Sequence, residues 1–148
     1  MKMLILKITL IVFAVSVLLA CTQEDKQDIS NHTADEQAAV QSAGKWLAHV
    51  DEGKYGDSWD EAADVFKNAV TKDEWEDMLG KIRPPFGKVL ERSVKIKEYK
   101  TSVPGVPDGE YVVIQFQTKY ENKANTIETV TPSREKDGNW RVAGYYIK

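Results

Sequence analysis

The stretch YVVIQFQTKY, residues 111–120, decides the fold: Val112, Ile114, Phe116 and Tyr120 fall on one face and Gln115, Gln117 and Lys119 on the other. Strict alternation of this kind is the period of a half-buried strand. Upstream, Leu90, Val94 and Ile96 alternate with charged residues, so Val89 to Tyr99 reads as a long strand, with a bulge expected where Arg92 interrupts the apolar face. Between the two, residues 104–109 (PGVPDG) have the composition of a loop. Downstream, residues 124–131 form a third strand carrying Ile127 and Thr129, and Asp137-Gly138 turns the chain into a last one. That strand places Trp140, Val142, Gly144 and Tyr146 on one face and Arg141, Ala143, Tyr145 and Ile147 on the other.

Ahead of the strands the period is helical. Ala39, Ala43, Trp46, Leu47 and Val50 recur at three and four residues, and Gly53 stops the run. A second helix is expected from Asp57 or Ser58, carrying Trp59, Ala62, Ala63 and Phe66 on one side. Thr71 and Glu74 have the spacing of a capping box at the start of a third helix. Its core face is Trp75, Met78, Leu79 and Ile82, and Pro84-Pro85 ends it. Three helices followed by four antiparallel strands is an α+β pattern, with the helices on one face of a curved sheet.

Composition narrows the class. The chain has 148 residues, 42% hydrophobic and 29% charged, with a formal net charge of −3. This describes a globular protein rather than a disordered one or a basic nucleic-acid binder. A single cysteine excludes an internal disulfide and a multi-cysteine zinc site.

The N-terminus carries Lys2 and Lys7 and then an apolar run from Ile8 to Ala20, 13 residues long and interrupted only by Thr9 and Ser16. A membrane-spanning helix needs roughly 20 apolar residues, so this run matches a secretory signal instead. It ends in Leu18-Leu19-Ala20-Cys21, which resembles the lipobox of bacterial lipoproteins. The resemblance implies cleavage before Cys21 and attachment of lipid to its thiol. Residues 1–20 are thus expected to be a signal peptide, 21–36 the lipidated cysteine and a flexible polar tether, and 37–148 a single domain. Loss of both early lysines leaves 18 bases against 23 acids, a net −5, which further disfavours nucleic acid. Thr22, rather than Asp, follows the cysteine. By resemblance to enterobacterial sorting this favours the outer membrane, facing the periplasm, in a cell that has one.

More specific motifs lie within the domain. WLAHVDEGKY (46–55) with Ser58-Trp59-Asp60, PDGEYVVIQF (107–116), ETVTP (128–132) and WRVAGYYI (140–147) resemble the bacterial domain of unknown function 4019 over about residues 38–148. The order of helices then sheet is similar to that of cone-shaped domains of the nuclear-transport-factor-2-like, or cystatin-like, group. The 4019 resemblance implies a fold and brings no activity, ligand or cofactor with it.

Folds of that kind can hold a pocket between helices and sheet in which an acid or histidine acts beside a tyrosine. The acids and tyrosines to weigh are Asp57, Asp60, Glu128, Tyr145 and Tyr146. Trp46, Trp59, Asp60, Tyr145 and Tyr146 are the pocket candidates. Each also has a bland explanation. Asp57 and Asp60 suit an N-cap and first-turn charges opposing the helix dipole, Glu128 reads as a solvated strand charge opposite Ile127 and Thr129, and the tryptophans read as core. Tyr145 and Tyr146 point to opposite faces, so only one can line a pocket. His49, near the end of the first helix, complements the helix terminus. No histidine spacing suits a metal and no glycine-rich loop suits a phosphate, so neither cofactor nor metal is expected. No residue is assigned a catalytic role. Two readings remain: a lipid-anchored envelope protein that binds a partner protein or small ligand, and a tethered isomerase-like or dehydratase-like enzyme. An apolar cavity holding a buried acid beside a tyrosine would favour the enzyme. A filled core with the acids outside would oppose it.

Overall fold

The computed structural model describes residues 32–148, of which 35–148 form one compact unit. The expected signal peptide, residues 1–20 with its recognition residues 18–20, and the lipidation site Cys21 lie outside the described part. Helix α1 occupies residues 32–51. Residues 32–36, expected in the tether, are therefore helical. The run ADEQAA (34–39) is rich in helix formers, and Asp35 and Glu36 pair with Arg134 and Lys97 of the sheet, both at 3.4 Å. Ala39, Ala43, Trp46, Leu47 and Val50 are all buried, as their spacing predicts. Gly53, at φ 73°, ends α1, and the Lys54 N–H returns to the His49 carbonyl.

The expected second helix is two short ones, α2 (Tyr55–Asp60) and α3 (Asp64–Ala69). The break lies at residues 61–63, where the Ala63 N–H leaves the helical ladder to donate to the Val142 carbonyl on the last strand. Neither Asp57 nor Ser58 is a cap. Asp57 stands exposed in the first turn of α2, and Ser58 is fully buried. Helix α4 (Lys72–Ile82) has the full capping box between Thr71 and Glu74. It buries Trp75 and Leu79, whereas Met78 and Ile82 stand on its exposed side, so its apolar stripe is narrower than the spacing predicts. A single 3-10 turn at Pro84–Phe86 leads into the sheet.

The sheet is an antiparallel meander in the order β1 (Val89–Lys100), β2 (Tyr111–Tyr120), β3 (Thr126–Arg134), β4 (Trp140–Ile147). Helices cover one face. Val112, Ile114, Phe116, Val130 and Val142 meet the helical residues there in one core. Bulges decide which side chains reach it. In β1 the register shifts between Val89 and Glu91 and again between Val94 and Ile96, flanking Arg92 rather than falling on it. Leu90, Val94 and Ile96 consequently do not share a face: Val94 pairs with Phe116, on the core side, and Ile96 with Gln115, on the outer side, and all three remain exposed. In β4 a shift beside Thr131 and Pro132 leaves Ala143 unpaired. Trp140 and Val142 point inward before it and Tyr145 after it, so Tyr146 does not join the Trp140–Val142 face as strict alternation predicts.

The core is aromatic. Trp46 lies 5.8 Å from Trp75 and 5.4 Å from Tyr145, and Phe66 stands edge-on to Trp75 at 4.9 Å. Buried indole N–H groups need acceptors, and Ser58 supplies two: its carbonyl accepts from Trp46 Nε1 at 2.7 Å and its hydroxyl from Trp75 Nε1 at 2.9 Å. Ser58→Ala keeps the first and strands the second. We expect it to lower unfolding stability by about 1–3 kcal/mol. Urea titration followed by tryptophan fluorescence measures this, and an unchanged midpoint would show that the Trp75 bond contributes nothing.

Candidate functional site

Under the sheet's helical face, beside the aromatic core, lies a cluster of charges. Glu128 of β3 is completely buried, contrary to the expectation of a solvated strand charge. The reason is phase. On β3 the inward set is Thr126, Glu128 and Val130, all fully buried, so Ile127 and Thr129 face outward. Burial of a carboxylate in isolation is prohibitive, and every oxygen here has a donor. Glu128 Oε2 accepts from Arg92 Nε at 2.8 Å and from the Thr118 hydroxyl at 2.6 Å. Glu128 Oε1 accepts from the Tyr145 hydroxyl at 2.8 Å, with Arg83 Nη1 at 3.6 Å.

The two arginines are themselves closed into a ring. Arg83 follows α4, is 5% exposed, and donates to the Tyr120 hydroxyl and, at 2.7 Å, to Asp51 Oδ1. Arg92 Nη1 and Nη2 grip both Asp51 oxygens at 2.6 and 2.9 Å. Asp51, the last residue of α1, stands at the solvent edge of the cluster. Two carboxylates and two guanidinium groups thus balance. Burial pushes the Glu128 pKa up, but the Arg92 charge and hydrogen bonds from Thr118, Tyr120 and Arg92 outweigh it, and the carboxyl is held below its ordinary value of 4.5. Burial, then the Glu128 charge, pushes the Tyr120 phenol up to about 12 and raises Tyr145 further.

The pocket candidates separate. Tyr145 belongs to the cluster and joins it to Trp46 and Trp75. Tyr146 is 61% exposed on the opposite face. Trp46 is core, and Trp59 is half-buried with its Nε1 donating to the Val70 carbonyl. Asp60 is exposed and holds Lys72 at 2.6 Å. His49 meets Glu61 at 3.3 Å. Trp46 and Asp60 also line a groove of about 580 Å³ between α1, the α2–α3 junction and the β3–β4 turn, together with Lys45, Trp140 and Arg141. Glu128 and Tyr145 do not line it. Asp51, Arg83, Arg92, Thr118 and Tyr120 are absent from the sequence-based candidates. Their signal is that Arg92, Thr118 and Glu128 each interrupt the inward phase of adjacent strands, which is sensible only if they interrupt it together. Among the described residues, no group of three or more His, Cys, Asp or Glu side chains is placed to hold a metal ion, and no helix is long and apolar enough to cross a membrane.

Chemically, the acid lies beside a tyrosine as an enzyme would need, yet it is ionised, saturated with donors and enclosed by side chains. The arrangement locks elements together and gives the carboxylate no free lone pair with which to take a substrate proton. Helices on one face of an open four-stranded antiparallel sheet define an α+β domain, an arrangement consistent with the nuclear-transport-factor-2-like fold. The family described as "Protein of unknown function (DUF4019)" matches residues 42–145, and the chain belongs to it. A solved structure from Catenulispora acidiphila is similar in fold, with a TM-score of 0.52 and 14% identity over 79% of this chain and 93% of that one. No curated protein matches.

Because the folded-state pKa of Glu128 lies below the unfolded value, the folded state binds fewer protons. Its stabilisation is therefore present above about pH 4.5 and is lost as pH falls through the folded value. Glu128→Gln leaves two buried arginines short of a counter-charge. It should cost about 3–5 kcal/mol at pH 7, with the gap to wild type narrowing at pH 3. Urea unfolding at both pH values checks this; an equal gap at both would mean that the charge of Glu128 is not what matters.

Proposed function

We propose that this protein is a lipid-anchored component of the bacterial cell envelope, held to a membrane through Cys21, whose domain binds a partner without catalysis. In a cell with two membranes the lipid sits in the outer membrane and the domain faces the periplasm. The observation that carries the non-catalytic reading is the state of Glu128. The one fully buried acid among the described residues, and the one that touches a tyrosine inside the core, is held ionised by two arginines with its oxygens occupied. A pocket enzyme needs its acid or base to face a cavity. Open space lies elsewhere: in the groove of about 580 Å³ lined by Lys45, Asp60, Glu61, Trp140 and Arg141, and in a smaller hollow of about 310 Å³ bordered by Asp51 and Arg83, neither of which Glu128 lines. A groove lined by charges of both signs beside Trp140 suits a small polar ligand or a peptide segment better than it suits proton transfer.

The anchor reading rests on the short apolar run and on Leu18-Leu19-Ala20-Cys21. Each buried CH₂ contributes about 0.8 kcal/mol, so one acyl chain holds weakly and two or three hold durably. The expected result for Cys21→Ser, expressed from the full chain, is loss of acyl labelling and accumulation of a precursor longer by the signal segment. Acyl-chain labelling with electrophoresis reads both. Unchanged mature size and membrane partition in that variant would overturn the anchor.

A further inference from the structure

The groove of about 580 Å³ has a backbone wall as well as a side-chain one. β4 is an edge strand, and its first residues, Trp140, Arg141 and Val142, all line the groove. The Glu135 N–H donates to the Asn139 carbonyl at 2.8 Å, so the next hydrogen-bonded pair along the hairpin is Ser133 with Arg141. Trp140 and Val142 alternate with these and turn their N–H and carbonyl groups away from β3. Both carbonyls are taken by the chain itself. The Trp140 oxygen accepts from the Ser42 hydroxyl at 2.6 Å and the Val142 oxygen from the Ala63 N–H at 2.9 Å. Neither N–H has an acceptor among the described residues.

The side-chain wall has the same bias. Arg141 is held by Asp137 through two bonds of 3.0 and 2.6 Å, Asp60 by Lys72 at 2.6 Å, and Glu61 meets His49 at 3.3 Å. Lys45, exposed on α1, is the one charged side chain of the groove with no partner of opposite sign among the described residues. The open capacity of the groove is thus two backbone N–H groups and an ammonium, all donors. An acceptor-rich molecule with a negative charge complements them.

Spacing selects among such molecules. N–H groups two residues apart on one strand are separated by about 6.8 Å. Carbon–oxygen bonds of about 1.2 Å hold the two oxygens of a single carboxylate far closer than that. Carbonyls of alternate residues in an extended chain repeat at the matching distance of about 6.8 Å. Gln41 and Asn139, whose amides line the same groove, offer acceptors for the N–H groups of such a chain. The α1 wall from Ala38 to Trp46 is about 12 Å long, the span of about three or four extended residues.

We propose that the groove binds an extended peptide segment bearing a carboxylate, with its backbone carbonyls on the Trp140 and Val142 N–H groups and its carboxylate on Lys45. This rests on the groove being the binding site of the domain, and it names the class of ligand.

The test is a magnetic resonance titration of the nitrogen-15-labelled full chain in detergent micelles. The probes are degenerate tetrapeptide pools, blocked at both ends and fixed at one position as Asp, Asn or Lys. The Asp pool is expected to move the Trp140 and Val142 amide resonances and to bind about three- to fivefold more tightly than the other two, the effect of one exposed ion pair. Lys45→Gln should abolish that preference, and Lys45→Glu should transfer it to the Lys pool. Tighter binding of an Asn pool with a free C-terminus than of the blocked one would make a terminal carboxylate the source; equal binding would make it an acidic side chain. Asn or Lys pools that move the same amides as strongly, or sodium acetate that does so alone, would overturn the proposal and leave the groove as a site for other ligands. Silence from every pool would overturn it as well. Shifts confined to residues outside the groove would instead overturn the groove reading on which it rests.

Discussion

The ionic bond from Arg92 to Glu128, closed through Asp51 and Arg83, is the constraint on which the rest of the domain is arranged. It involves the end of α1, the residue after α4, and strands β1 and β3 directly, with Thr118 and Tyr120 of β2 and Tyr145 of β4 supplying hydrogen bonds. Buried ion pairs of this sort contribute little net stability compared with well-packed apolar residues, because desolvation offsets the Coulomb gain. Their effect is discriminating. A shift of register by one residue in β3 would turn Glu128 to solvent and Ile127 inward, leaving Arg92 and Arg83 to share Asp51 as their one remaining counter-charge. Such a misfold is excluded by several kcal/mol, whereas an all-apolar interior would tolerate it more readily.

The bulges follow from the same requirement. β1 needs Arg92 on the core side, yet it is an edge strand whose flanking residues are mostly charged or polar, so two irregularities on either side of Arg92 adjust the phase. Lys95 and Lys97, near the second of these, also blunt the free edge against stray pairing. In β4 the single extra residue, Ala143, converts Tyr145 from an outward to an inward side chain. That brings its ring against Trp46 and Trp75 and its hydroxyl to Glu128. One residue of slack thus connects the aromatic core to the charge cluster.

These devices explain which parts of the molecule are legible in the sequence. Period and caps are local properties, and so α1, the capping box of α4, the loop at 104–109 and the alternation of β2 can be read directly. The break between α2 and α3 is not local, since the Ala63 N–H is diverted to Val142 from a distant strand. Nor is strand phase after a bulge, because the extra residue carries no distinctive side chain: Ala143 and Leu90 look like ordinary members of their strands. Glu128 is the sharpest case. By itself a glutamate between Ile127 and Thr129 looks solvated, and only the coincidence of Thr118 on one neighbour and Arg92 beyond it shows that the polar phase faces inward. The site is therefore written in the sequence as a set of three exceptions on three strands and is invisible strand by strand.

The saturation of Glu128 also shapes what the domain can offer to other molecules. A fold of this kind has two places to put chemistry, the space between helices and sheet and the sheet's outer side. Here the first is filled by Trp46, Phe66, Trp75 and Tyr145 at one end and by the neutralised cluster at the other. Both fillings are closely packed. The aromatic rings meet edge-on or tilted, and the guanidinium groups are oriented by successive nitrogen–oxygen contacts, with Arg83 Nε alone left without a partner among them. Opening that interior to a substrate would mean separating charges in a medium that screens them poorly, which is far costlier than parting apolar side chains. A well-packed interior in turn holds its surfaces in fixed relation, so the groove beside Trp140 is preorganised. Contact surfaces benefit from that property directly, because little conformational freedom is lost when something docks on them.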